Sequence, residues 1–196
     1  MMANFVETPD WSSLPRPTDD GAARHLLGQR MAAVALPATD GRTIDLAALP
    51  GRVVIYAYPR TGLPEGPNPE GWDAIPGARG CTPQSCAFKD HYHELRALGA
   101  SAVFGLSTQD TDYQREAATR LHLPFALLSD DQLRLTRAMN LPTFTVGTMT
   151  LLKRFTLIVQ DGQVQRVFYP VFPPDQNAAE VVAWLAADPG RERGGT

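Results

Sequence analysis

The chain has 196 residues, 43% of them apolar, and a formal net charge of −3. That length suits one domain with a substantial core. The absence of a basic run argues against nucleic-acid binding as the main activity, and no apolar stretch approaches the roughly 20 residues of a membrane-spanning helix. Met1 to Asp10 has neither the basic start nor the apolar stretch of a secretory signal. The expected compartment is therefore the cytoplasm, where two cysteines point to catalysis or metal binding before a structural disulfide.

Residues 1–24 hold Pro9, Pro15, Pro17, Asp19, Asp20 and Gly21 and read as an extension with little structure of its own, although Trp11 is available to dock on the body. Short strands are predicted at Val34-Ala35-Leu36 and Thr43-Ile44-Asp45, around an Asp40-Gly41 turn. Val53 to Tyr58 is a continuous apolar run with β-branched residues, as a central strand covered on both faces requires. From Pro59 through Gly80 the chain has five prolines and five glycines, which make a loop. Phe88, Tyr92, Leu95 and Leu98 then recur at helical spacing until Gly99. Ala102 to Leu106 returns as a strand, so the stretch forms a β-α-β unit with a right-handed parallel crossover.

Two more helices are predicted at about 112–121 and 131–139. Strands at Phe155 to Val159 and Val164 to Tyr169 join around Asp161-Gly162, and a last helix covers about 176–186. Asp188 to Thr196 is a polar tail, which leaves 25–187 as the domain. The sum is an α/β fold, a central mixed β-sheet flanked by helices. In such sheets reactive groups collect at the carboxyl ends of strands.

The chain's two cysteines stand there, in Gly80-Cys81-Thr82-Pro83-Gln84-Ser85-Cys86. Pro83 marks a helix start, because proline is tolerated where the backbone N–H is an orphan anyway. A helix N-terminus offers unpaired N–H groups and partial positive charge, and both favour the thiolate, the reactive form of cysteine. Two plainer readings stand beside this one. Free cysteines are often simply buried and inert. A metal site from Cys81, Cys86, His91 and His93 is the other, but zinc sites commonly place about two to four residues between cysteines. On one helix, moreover, Cys81 and Cys86 point about 140° apart. His91 and His93 read as solvated helix positions.

Gly80-Cys81-Thr82, Cys86, Phe88-Lys89-Asp90-His91-Tyr92 and Glu94-Leu95 together resemble the active-site helix of peroxiredoxins, in particular the bacterioferritin-comigratory-protein or peroxiredoxin Q subgroup. Similar agreement runs through Gly28 to Pro59, Leu106-Ser107-Thr108, Leu123 to Asp130 and Arg154 to Ile158. The resemblance implies a thioredoxin-like (peroxiredoxin) fold and a thiol peroxidase without metal or organic cofactor. Cys81 would be the peroxidatic cysteine, Cys86 the resolving one and Arg154 the active-site arginine. The partners implied are a hydroperoxide and thioredoxin or a similar dithiol reductant, with no nucleic acid and no membrane. The chain would act as a monomer or a homodimer. A redox sensor or partner-binding module with a regulatory disulfide is the alternative.

One departure stands out. The family carries a threonine or serine three residues before the peroxidatic cysteine and a proline four residues further back, where this chain has Ala78 and Ala74. Pro59 follows the strand, but residues 60–80 intervene before Cys81, so 61–79 reads as an insertion. The missing hydroxyl is expected from Thr61, with Thr82 as the other candidate. Trp72, inside the insertion, is expected either exposed or packed over the cysteine as a lid.

Overall fold

In the computed structural model, which describes residues 9–63 and 66–187, the apolar run beginning at Val53 lies at the centre of the sheet. β1 (Ala35–Pro37) and β2 (Thr43–Asp45) form an antiparallel pair. They are followed by β3 (Arg52–Ala57), α1 (Cys81–Asp90), α2 (Tyr92–Ala97), β4 (Ala100–Ser107), α3 (Thr111–Arg120) and β5 (Leu127–Ser129). The second half comprises α4 (Arg134–Met139), β6 (Thr143–Val146), β7 (Met149–Leu152), β8 (Phe155–Gln160), β9 (Gln163–Phe168) and α5 (Asn177–Ala187). The main sheet has the order β5-β4-β3-β8-β9. β4 is parallel to both β3 and β5, and β8 is antiparallel to both β3 and β9. The tail at 188–196 and the first eight residues of the extension lie outside the described residues.

β3 shows why this run must be apolar throughout. Val53, Ile55 and Ala57 pack on one face with Leu36, Phe104 and Leu157, while Val54, Tyr56 and Tyr58 pack on the other with Phe88, Leu95 and Val181. Alternate side chains of a strand point to opposite faces, and here both faces are covered. The second face holds α1 in place. The Tyr56 ring stacks on Phe88 with centroids 4.4 Å apart and planes 6° from parallel, and its hydroxyl donates to Ser85 Oγ at 3.0 Å. Gly105 of β4 makes room for that ring. A Cβ there would lie 2.4 Å from Leu127 Cδ2 and 2.8 Å from the Tyr56 hydroxyl, and both neighbours are fully buried. Gly105→Ala is therefore expected to lower the unfolding free energy by about 1–3 kcal/mol. Urea denaturation midpoints check this, and an unchanged midpoint would count against it.

Besides β5, for which no strand is predicted, three regions differ from the sequence expectation. The stretch from Phe88 to Leu98 forms two helices, because α1 ends at Asp90 and His91 sits at φ −89°, ψ 3° before α2. The hydrogen bonds His91 N to Ala87 O (3.0 Å) and Leu95 N to His91 O (2.9 Å) bridge the break, so Phe88 and Leu95 keep one face and the apolar period does not reveal it. No element is predicted for residues 140–153, yet β6 and β7 form a hairpin there, with Val146 opposite Met149 across Gly147-Thr148. The alternation Thr143-Phe144-Thr145-Val146 before a glycine is the signal for it.

The extension, third, is not without structure in its described part. Trp11–Ser13 is a 3-10 turn capped by Asp10, and Asp20 accepts hydrogen bonds from Lys153 Nζ at 2.5 Å and the Tyr169 hydroxyl at 2.7 Å. These two donors hold the Asp20 carboxyl well below the usual carboxylate range.

Candidate active site

Cys81 is the first residue of α1, and Gly80 is the N-cap at φ +105°. No side chain caps this helix start, which leaves first-turn N–H groups available to an anion. Both cysteines are free thiols; Cys81 is buried, at 4% exposure, and Cys86 is partly buried. The Cys81 sulfur lies 3.7 Å from the Ala78 carbonyl, to which a thiol donates, and 3.2 Å from Arg154 Nη2, which donates to it. The same sulfur thus has an acceptor for its proton and a cation for its charge.

Arg154, one residue ahead of β8, is 3% exposed. Its Nη2 also donates to the carbonyls of Gly77 at 3.3 Å, Ala78 at 3.2 Å and Arg79 at 3.2 Å, and its Nη1 donates to Gln84 Oε1. Every one of these oxygens is neutral. A buried guanidinium needs a counter-charge, and among its hydrogen-bond partners only the Cys81 sulfur can carry one. Arg154 therefore sets its positive charge against the Cys81 sulfur, with no carboxylate among its hydrogen-bond partners.

Gln84 is the functional neighbour that sequence reasoning missed. It sits three residues after Cys81, on the same helix face, and that spacing was the available signal. Its Nε2 donates to Asn177 Oδ1 at 3.0 Å, and Thr156 Oγ1 donates to the same oxygen at 2.6 Å. Gln84, Asn177 and Thr156 are all fully buried. This relay fixes the Gln84 amide, and the amide fixes the guanidinium. Tyr58, at the end of the central strand, stays protonated because burial, and then the neighbouring Cys81 charge, raise its pKa.

The insertion explains where Thr61 goes. Its leading end is tied to α3: Arg60 Nη2 donates to the Tyr113 hydroxyl at 3.1 Å and Arg120 Nη2 donates to the Gly62 carbonyl at 3.2 Å. Between them, Thr61 Oγ1 donates to Gln109 Oε1 at 3.3 Å and its N–H to the same oxygen at 2.9 Å. The Thr61 hydroxyl is thus committed to Gln109, and among the described residues no hydroxyl hydrogen-bonds the Cys81 sulfur; neither Thr61 nor Thr82 is brought to it in that way. The returning end packs on the β6–β7 hairpin. Trp72, at 4% exposure, lies against Ala78, Leu151 and Phe144, so it is neither exposed nor a lid over the cysteine. Trp72 instead packs with Ala78, one of the three residues whose carbonyls accept from Arg154.

His91 Nδ1 is paired with Glu94 at 3.0 Å, and no three His, Cys, Asp or Glu side chains converge among the described residues. A cavity of about 260 Å³ lies against Arg154 and Gly77, walled by Ile75, Pro76, Phe144 and Pro170. A larger groove of about 790 Å³ runs past Val53, Val103 and Phe125 but includes neither cysteine nor Arg154, so it is not this site.

Comparison with known proteins agrees with this geometry. Residues 26–183 match the Redoxin family. Peroxiredoxin Q, chloroplastic, of Oryza sativa subsp. japonica is 30% identical over 191 residues, which span 94% of this chain and 79% of that protein. The chain belongs to the redoxin family, in its peroxiredoxin Q branch. Peroxiredoxin Q, chloroplastic, of Populus jackii is likewise 30% identical, over 81% of this chain and 67% of that protein. Among solved structures, Peroxidoxin BcpB from Mycobacterium tuberculosis is similar with a TM-score of 0.67 and 26% identity, over 82% of this chain and 96% of that one. As a peroxiredoxin Q the chain keeps the two cysteines of the resemblance and the arginine. It lacks the hydroxyl at position 78, and the backbone carbonyl of Ala78 faces the sulfur instead.

Proposed function

We propose that Cys81 is the peroxidatic cysteine and Cys86 the resolving cysteine of this thiol peroxidase, and that the enzyme works in the cytoplasm. Peroxidase chemistry itself comes with the peroxiredoxin family. The observation that carries the residue assignment is the 3.2 Å contact between Arg154 Nη2 and the sulfur at the first position of α1.

The Cys81 thiolate attacks one oxygen of ROOH, the O–O bond breaks, and the leaving oxygen takes a proton to give ROH, or water from hydrogen peroxide. Cys81 becomes a sulfenic acid. Negative charge moves from sulfur to the leaving oxygen, and donors already fixed there lower the barrier. Arg154 and the first-turn N–H groups are those donors. Hydrogen peroxide and organic hydroperoxides are both expected as ROOH. The Cys86 thiol then attacks the sulfenic sulfur, expelling water and forming a disulfide. A dithiol of the thioredoxin type restores both thiols by exchange.

The environment of Cys86 suits a second nucleophile that acts after the first. Burial pushes the Cys86 thiol up from its ordinary value, with Lys89 opposing and Asp90 adding. Cys86 is thus a thiol at neutral pH, and its attack needs deprotonation. Disulfide formation is accordingly expected to accelerate steadily between about pH 6 and about pH 9. Stopped-flow mixing with one equivalent of peroxide measures this, and a flat profile would contradict it.

The assignment is tested by treating the reduced protein with one equivalent of hydrogen peroxide, then counting thiols and weighing the chain. Loss of both thiols, a mass decrease of two hydrogens and no covalent dimer are expected. Cys86→Ser is expected to stop after one turnover as a sulfenic acid, and Cys81→Ser to consume no peroxide. Survival of both thiols in the unmodified protein would overturn the reading.

A further inference from the structure

Trp11 reaches the residue next to Cys81. A Cβ on Gly80 would lie 2.8 Å from the Trp11 ring and 2.7 Å from Pro174 Cγ, so the Gly80 backbone is wedged between the two. Gly80 is the N-cap of α1, and its carbonyl accepts the helix's first hydrogen bond, from Gln84 N at 3.0 Å. The indole is held in turn by Asp175, to whose Oδ2 it donates at 2.9 Å, and by the edge of Phe172, with centroids 6.1 Å apart. Pro17 of the same arm sits over Gly77, where a Cβ would be 3.4 Å from its ring, and Gly77 supplies one of the carbonyls on Arg154. The arm therefore closes over the turn that must move when the two cysteines join.

Two features suit it to release. Asp175 Oδ1 is buried with no hydrogen-bond partner, and a carboxylate oxygen shut away from water without a donor is costly. Lifting the arm returns water to that oxygen and offsets part of the lost indole contact. The base of the arm is pinned separately, at Asp20 by Lys153 and Tyr169, while Ser12, Ser13, Arg16, Thr18 and Asp19 between base and tip are exposed. The tip can leave Gly80 while the base stays in place.

We propose that Trp11 is a positioning residue that keeps the start of α1 wound while Cys81 meets peroxide, and that its departure from Gly80 gates the Cys81–Cys86 disulfide. This rests on the two-cysteine reading above. With the indole seated, the sulfenic acid waits. Either the arm lifts and Cys86–SH condenses with Cys81–SOH to a disulfide and water, or a second ROOH converts Cys81–SOH to the sulfinic acid and ROH. The indole contact thus sets the branching between resolution and inactivation.

The test compares the full chain with Trp11→Ala, Trp11→Phe and Asp175→Ala. Stopped-flow mixing with hydrogen peroxide gives separate rates for sulfenic acid and disulfide formation, and intact mass gives the sulfinic fraction at excess peroxide. In Trp11→Ala the disulfide is expected to form about tenfold faster, corresponding to about 1.4 kcal/mol, with a smaller sulfinic fraction. Sulfenic acid formation is expected to stay within about twofold. Trp11→Phe, which keeps a ring but loses the N–H donor, and Asp175→Ala should fall between, and they carry the test if Trp11→Ala fails to fold. Disulfide rates equal to the parent's in the folded variants would overturn the gate. A fall in both rates that follows thermal stability would also overturn it, leaving Trp11 merely structural. Survival of both thiols in the parent chain would instead defeat the two-cysteine reading, whereas a disulfide that forms with no sulfenic acid accumulating would overturn the gate, so the two failures are told apart.

Discussion

Arg154→Met is expected to slow the reaction of Cys81 with peroxide by about 10²–10³, the effect usual for removing a donor aimed at developing charge. The reason lies in the inventory around the guanidinium. Its partners are the carbonyls of Gly77, Ala78 and Arg79, the Gln84 amide oxygen and the Cys81 sulfur. Methionine keeps bulk but supplies neither charge nor donor, so the thiolate loses its cation and the leaving oxygen loses its acid-side support. Arg154→Lys keeps the charge on a single point and cannot span Gln84 and the sulfur together. It is expected to recover only part of the rate. Stopped-flow with peroxide measures both variants.

A second reagent separates two causes. Iodoacetamide also needs the thiolate but makes no demand on an oxygen leaving group. If Arg154 acts only by holding the thiolate, alkylation and peroxide reduction fall together. If it also stabilises the displaced oxygen, peroxide reduction falls further. Wild-type peroxide rates in Arg154→Met would remove the arginine from the mechanism. The Gln84 relay predicts a gentler counterpart with the same sense, since Gln84→Met leaves the guanidinium charged but frees it to rotate away from the sulfur.

The central strand, the crossover and the cysteine at a helix start were legible because each is written in a local pattern. Val53 to Tyr58 is apolar on both faces, Asp161-Gly162 marks the turn between β8 and β9, and Pro83 sits in the first turn of α1. Arg154 was legible only through the family resemblance, because nothing in a strand's alternation says that its leading residue turns inward to a helix start. Gln84 lies within the quoted motif, yet its amide becomes functional only through Asn177, 93 residues away. Thr61 misled for a related reason. Adjacency to Pro59 suggested a place near the cysteine, but Arg60 and Arg120 fasten that end of the insertion to α3, and the chain approaches Cys81 from the hairpin side instead. Local pattern fixes elements, whereas a long insertion's path depends on contacts made at both of its ends.

Oxidation is expected to melt the start of α1 and leave its end intact. Cys81 and Cys86 are five helical residues apart, roughly 7.5 Å of rise alone, and point about 140° apart on the helix. A disulfide needs Cα atoms at most about 7 Å apart, so it cannot form across the wound helix. The Cys81 end is the one that yields. It is held by the Gly80 carbonyl, by Arg154 and by the Gln84–Asn177 bond, polar contacts that water can replace, and by the Trp11 and Pro174 contacts at Gly80 that the arm can release. The Phe88 end is held by a fully buried ring stacked on Tyr56, with Leu95 of α2 in the same core. Exposing that ring would cost about 1.5–3 kcal/mol, with no water contact to offset it. Amide exchange by mass spectrometry is therefore expected to accelerate by at least about tenfold, or about 1.4 kcal/mol of lost protection, in residues 81–86 on oxidation. It should change little in residues 88–97. Cys86→Ser treated with one equivalent of peroxide carries the sulfenic acid without the disulfide and should keep the reduced pattern. Loss of protection in that variant would assign the melting to the sulfenic oxygen. Unchanged exchange in the disulfide form would mean that the two sulfurs meet by a movement other than unwinding of α1.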